Sequence, residues 1–254
     1  MKSYIKREII IDNNGKKIYG ILYLPLIGGK RPIVIYSHEL ANNHERGIEY
    51  AKYLASNGIG CYVFDYCGGS NNSKSSGKTT EMSILNEESD LSFVISYFRK
   101  QTYIDKNNLF IIGASLGGAV ASLYASKNID KINSLILLYP GFNVYDSVHE
   151  FYDSLEGVPN EFSFKGWMDV GKIFIKDAWN TNIYDYLVNI KIPVMILHGD
   201  KDNLVPLEYS KKAVDILPNA KLTVIKGASH HIFFKEYQKL AQNYILEFIK
   251  NNLK

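Results

Sequence analysis

The chain has 254 residues, of which 46% are hydrophobic, and this is enough to bury a sizeable core. Its 29 basic and 26 acidic residues give a net charge of +3 and are spread along the sequence, so the charge pattern does not indicate a nucleic-acid partner. The N-terminus lacks the apolar segment of a secretory signal, and no stretch approaches the roughly 20 apolar residues that span a bilayer. We therefore expect one domain over residues 1–254, located in the cytoplasm.

Two β-rich segments open the chain, and short buried strands follow them. Asn13-Asn14-Gly15 joins the first two segments, and these residue types tolerate the positive φ of a hairpin turn, so this pair is predicted to be antiparallel. The later runs are continuously apolar, which is typical of parallel strands buried on both faces. The predicted strands are Tyr4 to Asp12, Lys17 to Leu24, Ile33 to Tyr36, Gly60 to Phe64, Leu109 to Ile112, Ser134 to Tyr139, Val194 to Leu197 and Lys221 to Ile225.

Helical patterns lie between these strands. Their apolar residues recur at three- and four-residue steps, which places one face of each helix on the sheet. The predicted helices are Glu45 to Ser56, Ile84 to Lys100, Gly118 to Lys127, Leu207 to Leu217 and Glu236 to Asn251. Because strand and helix alternate, the sequence predicts a doubly wound α/β fold with a mostly parallel sheet.

The segment from Gly141 to Asn189 interrupts this alternation. It is long for a connection, rich in aromatic residues, and without a strand run comparable to its neighbours. Long insertions inside a compact domain are usually lids or binding loops. We expect a lid at about residues 141–189 whose Trp167 and Trp179 contact the substrate. The alternative is an ordinary helical excursion with its own small core.

A nucleophile motif follows one of the buried strands. Gly113 to Gly117 reads G-x-S-x-G between a predicted strand and a predicted helix, with Ser115 at its centre. A serine can be presented at the edge of a sheet only through a sharp turn, and the two glycines leave space where a Cβ would clash. The helix that follows also directs free N–H groups at the site. Ser115 is therefore the candidate nucleophile.

A serine hydroxyl needs a base to take its proton and an acid to orient that base. Two later segments follow predicted strands directly, at the edge where doubly wound folds bind ligands, and one of them supplies candidate acids while the other supplies candidate bases. One segment contains Asp200 and Asp202, and the other contains His230 and His231. Spacing alone leaves both choices open.

With these motifs the chain resembles the α/β-hydrolase superfamily and, within it, the bacterial feruloyl (cinnamoyl) esterases and related carboxylesterases. The resemblance extends over essentially the whole chain. It rests on Ser37-His38, Phe64-Asp65 with the Gly-Ser-rich loop after it, Gly113 to Gly117, His198 to Asp202 with Val205-Pro206, and Gly227 to His230. It implies Ser115 as nucleophile, Asp202 as acid and His230 as base, with Asp200 and His231 as the alternatives.

The resemblance also implies an oxyanion hole formed by the backbone N–H groups of Leu40 and Leu116. In that family a His-Gly pair precedes the first of these donors, whereas this chain has Glu39 in place of the glycine. A carboxylate close to the forming oxyanion would oppose the stabilisation that the hole provides. We therefore expect Glu39 to turn away from the nucleophile or to engage a cation such as Arg46.

The activity implied is hydrolysis of a small-molecule ester, with a feruloyl or short-chain acyl group, through an acyl-enzyme and without a cofactor or metal. The alternatives are a peptidase or an acyltransferase on the same triad, and a low-activity binding protein that retains the fold. A homodimer is compatible with this interpretation.

The remaining candidate residues are expected to be structural. These are Asp65 at a strand end, His38 bracing the loop after its strand, His198 capping its strand, His44 and His149 at the surface, and Cys61 and Cys67 as free thiols.

Overall fold

The computed structural model describes residues 3–230 and 235–254. The strands are β1 (Tyr4–Asn13), β2 (Lys16–Pro25), β3 (Arg31–Ser37), β4 (Gly60–Phe64), β5 (Ile104–Ala114), β6 (Ser134–Leu138), β7 (Glu161–Phe164), β8 (Met168–Gly171), β9 (Val194–Gly199) and β10 (Ala220–Ile225). The helices are α1 (Ile48–Ser56), α2 (Ile84–Arg99), α3 (Leu116–Lys127), α4 (Val144–Phe151), α5 (Lys172–Trp179), α6 (Tyr184–Leu187), α7 (Leu207–Ile216) and α8 (Lys235–Asn251), with 3₁₀ turns at His44–Gly47 and Thr79–Glu81. None of the helices in these ranges is long and apolar enough to cross a bilayer.

Within the described residues the main sheet has eight strands in the order β1-β2-β4-β3-β5-β6-β9-β10, while β7 and β8 form a separate hairpin. β2 pairs antiparallel with both β1 and β4, and the other neighbours in the main sheet pair in parallel. Parallel neighbours need crossover connections, which carry the helices onto the two faces of the sheet. The predicted fold, a mostly parallel doubly wound sheet with antiparallel N-terminal strands, is confirmed.

The first hairpin turn forms at the predicted position. Asn14 and Gly15 have φ values of 50° and 89°, and the residues on either side, Asn13 and Lys16, are paired across the strands. Two central residues with positive φ match the twist of the flanking strands, which is why Asn-Gly favours this turn.

Apolar side chains pack on both faces of the sheet. Along β5, Ile111 belongs to the core on one face, and Phe110 and Ile112 belong to the core on the other. This alternation follows from the two-residue period of a strand, and it explains why the central strands are continuously apolar. β10 differs because it is an edge strand, and its Val224 is 45% exposed.

The insertion at residues 141–189 contains α4, α5, α6 and the β7–β8 hairpin. The hairpin is absent from the predicted strands because its strands are only four residues long and β7 alternates exposed and half-buried residues. It is anchored to the body of the protein where Gly171 passes Thr80, since a Cβ on Gly171 would lie 2.1 Å from the Thr80 carbonyl oxygen. The insertion therefore packs against the turn at Thr79–Glu81, in the connection between β4 and α2.

Candidate active site

Ser115 lies in the sharp turn between β5 and α3. Its φ of 50° and ψ of −122° are values that residues other than glycine rarely adopt. A Cβ on Gly117 would lie 2.3 Å from the carbonyl oxygen of Ser37, and one on Gly113 would lie 2.6 Å from the carbonyl oxygen of Gly117. Close backbone packing therefore explains both glycines of the motif, and the strained turn presents the Ser115 hydroxyl at the sheet edge.

The side chains of Ser115, His230 and Asp202 form a continuous series of hydrogen bonds. His230 Nε2 lies 2.9 Å from Ser115 Oγ, and His230 Nδ1 lies 2.7 Å from Asp202 Oδ2. Because an ionised carboxylate only accepts, Nδ1 carries the proton and Nε2 is left to accept from the serine hydroxyl. This tautomer is the one in which the histidine can take the serine proton.

Asp202 is buried and accepts four hydrogen bonds. Its Oδ1 accepts from the backbone N–H groups of Leu204 and Val205, both at 2.9 Å. Its Oδ2 accepts from His198 at 3.0 Å and from His230 at 2.7 Å. Burial alone would raise the pKa of Asp202, but the hydrogen bonds from His198, His230 and Val205 outweigh it and hold that pKa well below its ordinary value. The carboxylate is therefore ionised at neutral pH.

The alternative acid, Asp200, has a different partner. Its Oδ1 accepts a hydrogen bond of 2.6 Å from the backbone N–H of Gly227, which ties the turn after β9 to the turn after β10. The geometry thus brings Asp202, not Asp200, to His230. The alternative base, His231, lies outside the described residues.

Three other histidines help to build the site or its surroundings. The expectation that His44 lies at the surface is wrong, because its ring is buried and its Nδ1 lies 2.6 Å from Asp65 Oδ1. His38 braces its loop as expected, since its Nε2 accepts from the Tyr66 N–H and its Nδ1 donates to the Glu39 carbonyl. The third, His198, is more than a strand cap, because it donates to Asp202.

The loop after β3 is held against the first turn of α3. Ser37 Oγ donates to the Gly117 carbonyl oxygen at 2.8 Å and lies 2.6 Å from the Tyr66 hydroxyl. Since a carbonyl only accepts, the serine proton goes to Gly117 and Tyr66 must donate to Ser37. This arrangement brings Leu40 and Leu116, the two predicted oxyanion donors, into the wall of one cavity with Ser115.

Glu39 is buried, and a tyrosine is its hydrogen-bond partner. Its Oε1 accepts from the Tyr139 hydroxyl at 3.0 Å, while its Oε2 has no hydrogen-bond partner among the described residues. Burial, and next the nearby Glu39 carboxylate, raise the pKa of Tyr139 well above its ordinary value, so the phenol stays protonated and donates. Arg46, the cation expected to engage Glu39, donates through Nε to Asn42 at 2.7 Å. The Tyr139 ring lies edge-on to His230, with 4.9 Å between centroids.

A cavity of about 780 Å³ opens beside Ser115 and His230. This volume falls within the range that small-molecule sites occupy. The insertion supplies most of its apolar wall, including Phe151, Tyr152, Phe162, Phe164, Trp167 and Phe174. No cluster of three or more His, Cys, Asp or Glu side chains suited to a metal ion occurs within residues 3–230 and 235–254.

The two tryptophans named from the sequence occupy different places. Trp167 lines the cavity and is 48% exposed. Trp179 is not part of the cavity wall, and its indole stacks on His149 with 3.8 Å between ring centroids. Of the two tryptophans, only Trp167 lies where a substrate in the cavity could contact it, because Trp179 at the end of α5 faces His149 of α4.

Fold and site together define an α/β-hydrolase: a nucleophile turn after β5, with an acid and a histidine in the turns after β9 and β10. The chain belongs to the prolyl oligopeptidase family, whose model matches residues 48–254.

Individual relatives agree with this classification. Protein bem46 of Schizosaccharomyces pombe is 29% identical over 69% of this chain, and the match spans about half (53%) of that protein. Monoacylglycerol lipase of Mycolicibacterium smegmatis is 22% identical over 88% of this chain and 89% of that enzyme. Est1E of Butyrivibrio proteoclasticus, solved with bound ferulic acid, superimposes with a TM-score of 0.87 at 24% identity, over 96% of this chain and 98% of that one. The chain is thus an α/β-hydrolase with lipases among its relatives.

Proposed function

We propose that this protein is a serine carboxylic-ester hydrolase that acts through an acyl-enzyme. The observation that carries the proposal is the hydrogen-bonded series from Ser115 through His230 to Asp202 at the wall of a large cavity. In the first step Ser115 Oγ attacks the ester carbonyl carbon while His230 Nε2 takes the hydroxyl proton. His230 then gives that proton to the departing alcohol, and water attacks the acyl-enzyme by the same route in reverse.

The oxyanion formed in both steps needs hydrogen-bond donors. Leu40 and Leu116 are the proposed donors through their backbone N–H groups, which is consistent with their position in the cavity wall beside Ser115. The first turn of α3 supports this role, because helix N-terminal N–H groups have no partner within the helix and favour negative charge.

The proposed substrate is a small-molecule ester with an aromatic or apolar acyl group, such as a feruloyl or short-chain acyl ester. The aromatic wall that the insertion contributes supports an apolar group. The structural likeness to Est1E with bound ferulic acid and the sequence likeness to a monoacylglycerol lipase are consistent with this class. In this proposal the insertion at residues 141–189 serves as a lid. A cytoplasmic location and a homodimer stay predictions.

A fluorophosphonate probe and a paired substrate panel test the proposal. We expect the probe to label wild type at Ser115 and not Ser115→Ala, and we expect p-nitrophenyl esters and methyl ferulate to be hydrolysed. An arylamide matched to one of the esters tests the peptidase that the family description suggests, and added alcohol tests acyl transfer. Faster cleavage of the arylamide than of the ester would contradict the proposal that this protein is an esterase. Absence of both labelling and turnover would favour the binding protein.

Trp167→Ala should change acyl preference more than it changes the rate on p-nitrophenyl acetate. Loss of an apolar contact in a pocket alters discrimination by about tenfold or more for acyl groups that reach it, whereas an acetyl group is too short to depend on it. The measurement is kcat/KM across esters of increasing chain length and methyl ferulate. Trp179→Ala is the matched control, because Trp179 lies outside the cavity wall. Equal losses for all esters in Trp167→Ala, with a lowered Tm, would show that Trp167 is a packing residue.

Glu39→Gln should change kcat/KM by less than roughly tenfold, or 1.4 kcal/mol. A bare carboxylate 4 Å from the oxyanion would cost about 4 kcal/mol at an effective dielectric of 20, as much as one oxyanion-hole donor contributes. An active esterase therefore needs the charge directed elsewhere, and the hydrogen bond from Tyr139 is consistent with that. Glutamine retains an acceptor for Tyr139. Glu45→Gln, an exposed glutamate of the neighbouring 3₁₀ turn, is the control. A hundredfold rise in Glu39→Gln would contradict this account.

A further inference from the structure

His198 is a buried histidine to which the mechanism above gives no task. It lies at the end of β9 with 0% of its surface exposed, and it forms hydrogen bonds with Asp202, with the Val205 carbonyl oxygen and with Ser210 of α7. Nε2 lies 3.0 Å from Asp202 Oδ2 and 2.9 Å from the Val205 carbonyl oxygen, and Nδ1 lies 2.7 Å from Ser210 Oγ. A strand cap alone would not require contacts at both ring nitrogens.

These contacts determine where the proton of His198 lies. The Val205 carbonyl oxygen can only accept, so Nε2 must carry a proton, which it shares with Asp202. In the neutral ring Nδ1 then accepts from the Ser210 hydroxyl. Ser210 and Val205 therefore hold the ring in the tautomer that donates to the carboxylate.

The same carboxylate oxygen serves two imidazoles. Asp202 Oδ2 accepts from His198 on one side and from His230 on the other, while Oδ1 is occupied by two backbone N–H groups. A second donor on Oδ2 restricts the rotation of the carboxylate. It also disperses the negative charge that Asp202 presents to His230.

We propose that His198 is a positioning residue that aligns Asp202 with His230 and moderates how strongly Asp202 attracts the proton of His230. The proposal rests on the triad proposed above. Two consequences follow from the loss of the His198 donor. The carboxylate charge is directed more fully at His230, so the pKa of His230 rises, and the looser carboxylate no longer fixes the ring, so Ser115 is activated less well.

Other groups around the two histidines must stay constant for this reasoning to hold. Among the described residues, His230 faces Ser115, Asp202 and the Tyr139 ring, with the Glu39 carboxylate on the far side of Tyr139. His198 faces Asp202 and Ser210, and Glu208 at the start of α7 is exposed to solvent. The two amide substitutions below change none of these groups.

Two amide substitutions separate the contacts of His198. His198→Asn places polar atoms as many bonds from Cα as Nδ1, so it can satisfy Ser210 but is too short to reach Asp202. His198→Gln places its amide nitrogen as many bonds from Cα as Nε2, so it can still donate to Asp202. Both side chains are neutral and polar, and the pair differs in reach alone.

The primary readout is the pKa of His230, measured by NMR titration of its ring. We expect His198→Asn to raise that pKa by about half to one unit and to slow fluorophosphonate labelling of Ser115 at pH 7 by about tenfold. With an ester substrate we expect kcat to fall by a similar factor while KM stays within about twofold. His198→Gln should recover most of each value. His149→Asn, a histidine outside the cavity, controls for assignment and for loss of an imidazole.

An unchanged pKa of His230 in His198→Asn, or equal effects of the two amides, would overturn the proposal and leave His198 as a packing residue. Should His198→Asn not fold, Ser210→Ala replaces it, because loss of the hydroxyl removes the contact at Nδ1 and leaves the His198 ring less firmly held against Asp202. In Ser210→Ala we expect the pKa of His230 to rise by less than in His198→Asn. Absence of any rise would overturn the proposal in the same way. The titration needs no turnover, so it gives its answer even if wild type hydrolyses no ester.

Discussion

Ser115→Ala and His230→Ala are each expected to lower kcat by roughly 10⁴- to 10⁶-fold, and the double variant should be scarcely slower than either single one. The two side chains act as a unit, since the Ser115 hydroxyl is a poor nucleophile unless His230 Nε2, 2.9 Å away, takes its proton. Once either partner is missing, removing the other takes away little more. The residual rate would come from binding and the oxyanion hole.

The measurement is the single-turnover or steady-state rate on a p-nitrophenyl ester, with thermal melts of every variant to verify that the fold is retained. His231→Ala is the matched control, because it removes the neighbouring imidazole. We expect it to be mild. A severe loss in His231→Ala together with a mild loss in His230→Ala would show that the base has been assigned to the wrong histidine.

The sheet was predictable from the sequence because its signals are local. A continuously apolar run such as Leu109 to Ile112 must be buried on both faces wherever it lies in the fold, and Asn14-Gly15 favours its turn through its own backbone preferences. The β7–β8 hairpin carries no such signal. Its strands are four residues long, and it meets the rest of the protein where Gly171 closely approaches Thr80, a contact between distant parts of the chain.

The nucleophile turn was predictable for the same reason, whereas the partners of buried polar groups were not. Gly113 to Gly117 encodes a strained turn within five residues. The pairing of His44 with Asp65 depends on which strands become neighbours, and so do the contacts of Glu39 with Tyr139 and of Trp179 with His149. Composition and spacing carry no information on such contacts.

The contact between His198 and Asp202 was partly predictable from the sequence. The two residues are four positions apart, and a short turn after a strand brings such residues together. The orientation of its ring also involves Ser210 from the following helix, whose hydroxyl lies 2.7 Å from the other ring nitrogen. A buried histidine directly before a G-x-x-D turn is the sequence signal that would have identified it.

Asp202→Asn is expected to lower kcat by roughly 10³- to 10⁴-fold while the fold is retained. An asparagine that keeps its oxygen at Oδ1 preserves the hydrogen bonds from Leu204 and Val205 but turns its NH₂ group towards His198 and His230. His230 Nδ1 must then accept, so the ring proton moves to Nε2 and faces the Ser115 hydroxyl. A histidine in that tautomer cannot take the serine proton.

The pH profile separates this effect from a simple loss of charge. Because the pKa of Asp202 lies well below its ordinary value, Asp202 stays ionised across the assay range, and the acid limb of kcat/KM in wild type should report the protonation of His230. In Asp202→Asn that limb should move to lower pH, since the carboxylate that favours the imidazolium is gone. Asp200→Asn is the control, because an amide oxygen can still accept from Gly227. A large loss confined to Asp200→Asn, with both variants melting like wild type, would reverse the roles of the two aspartates.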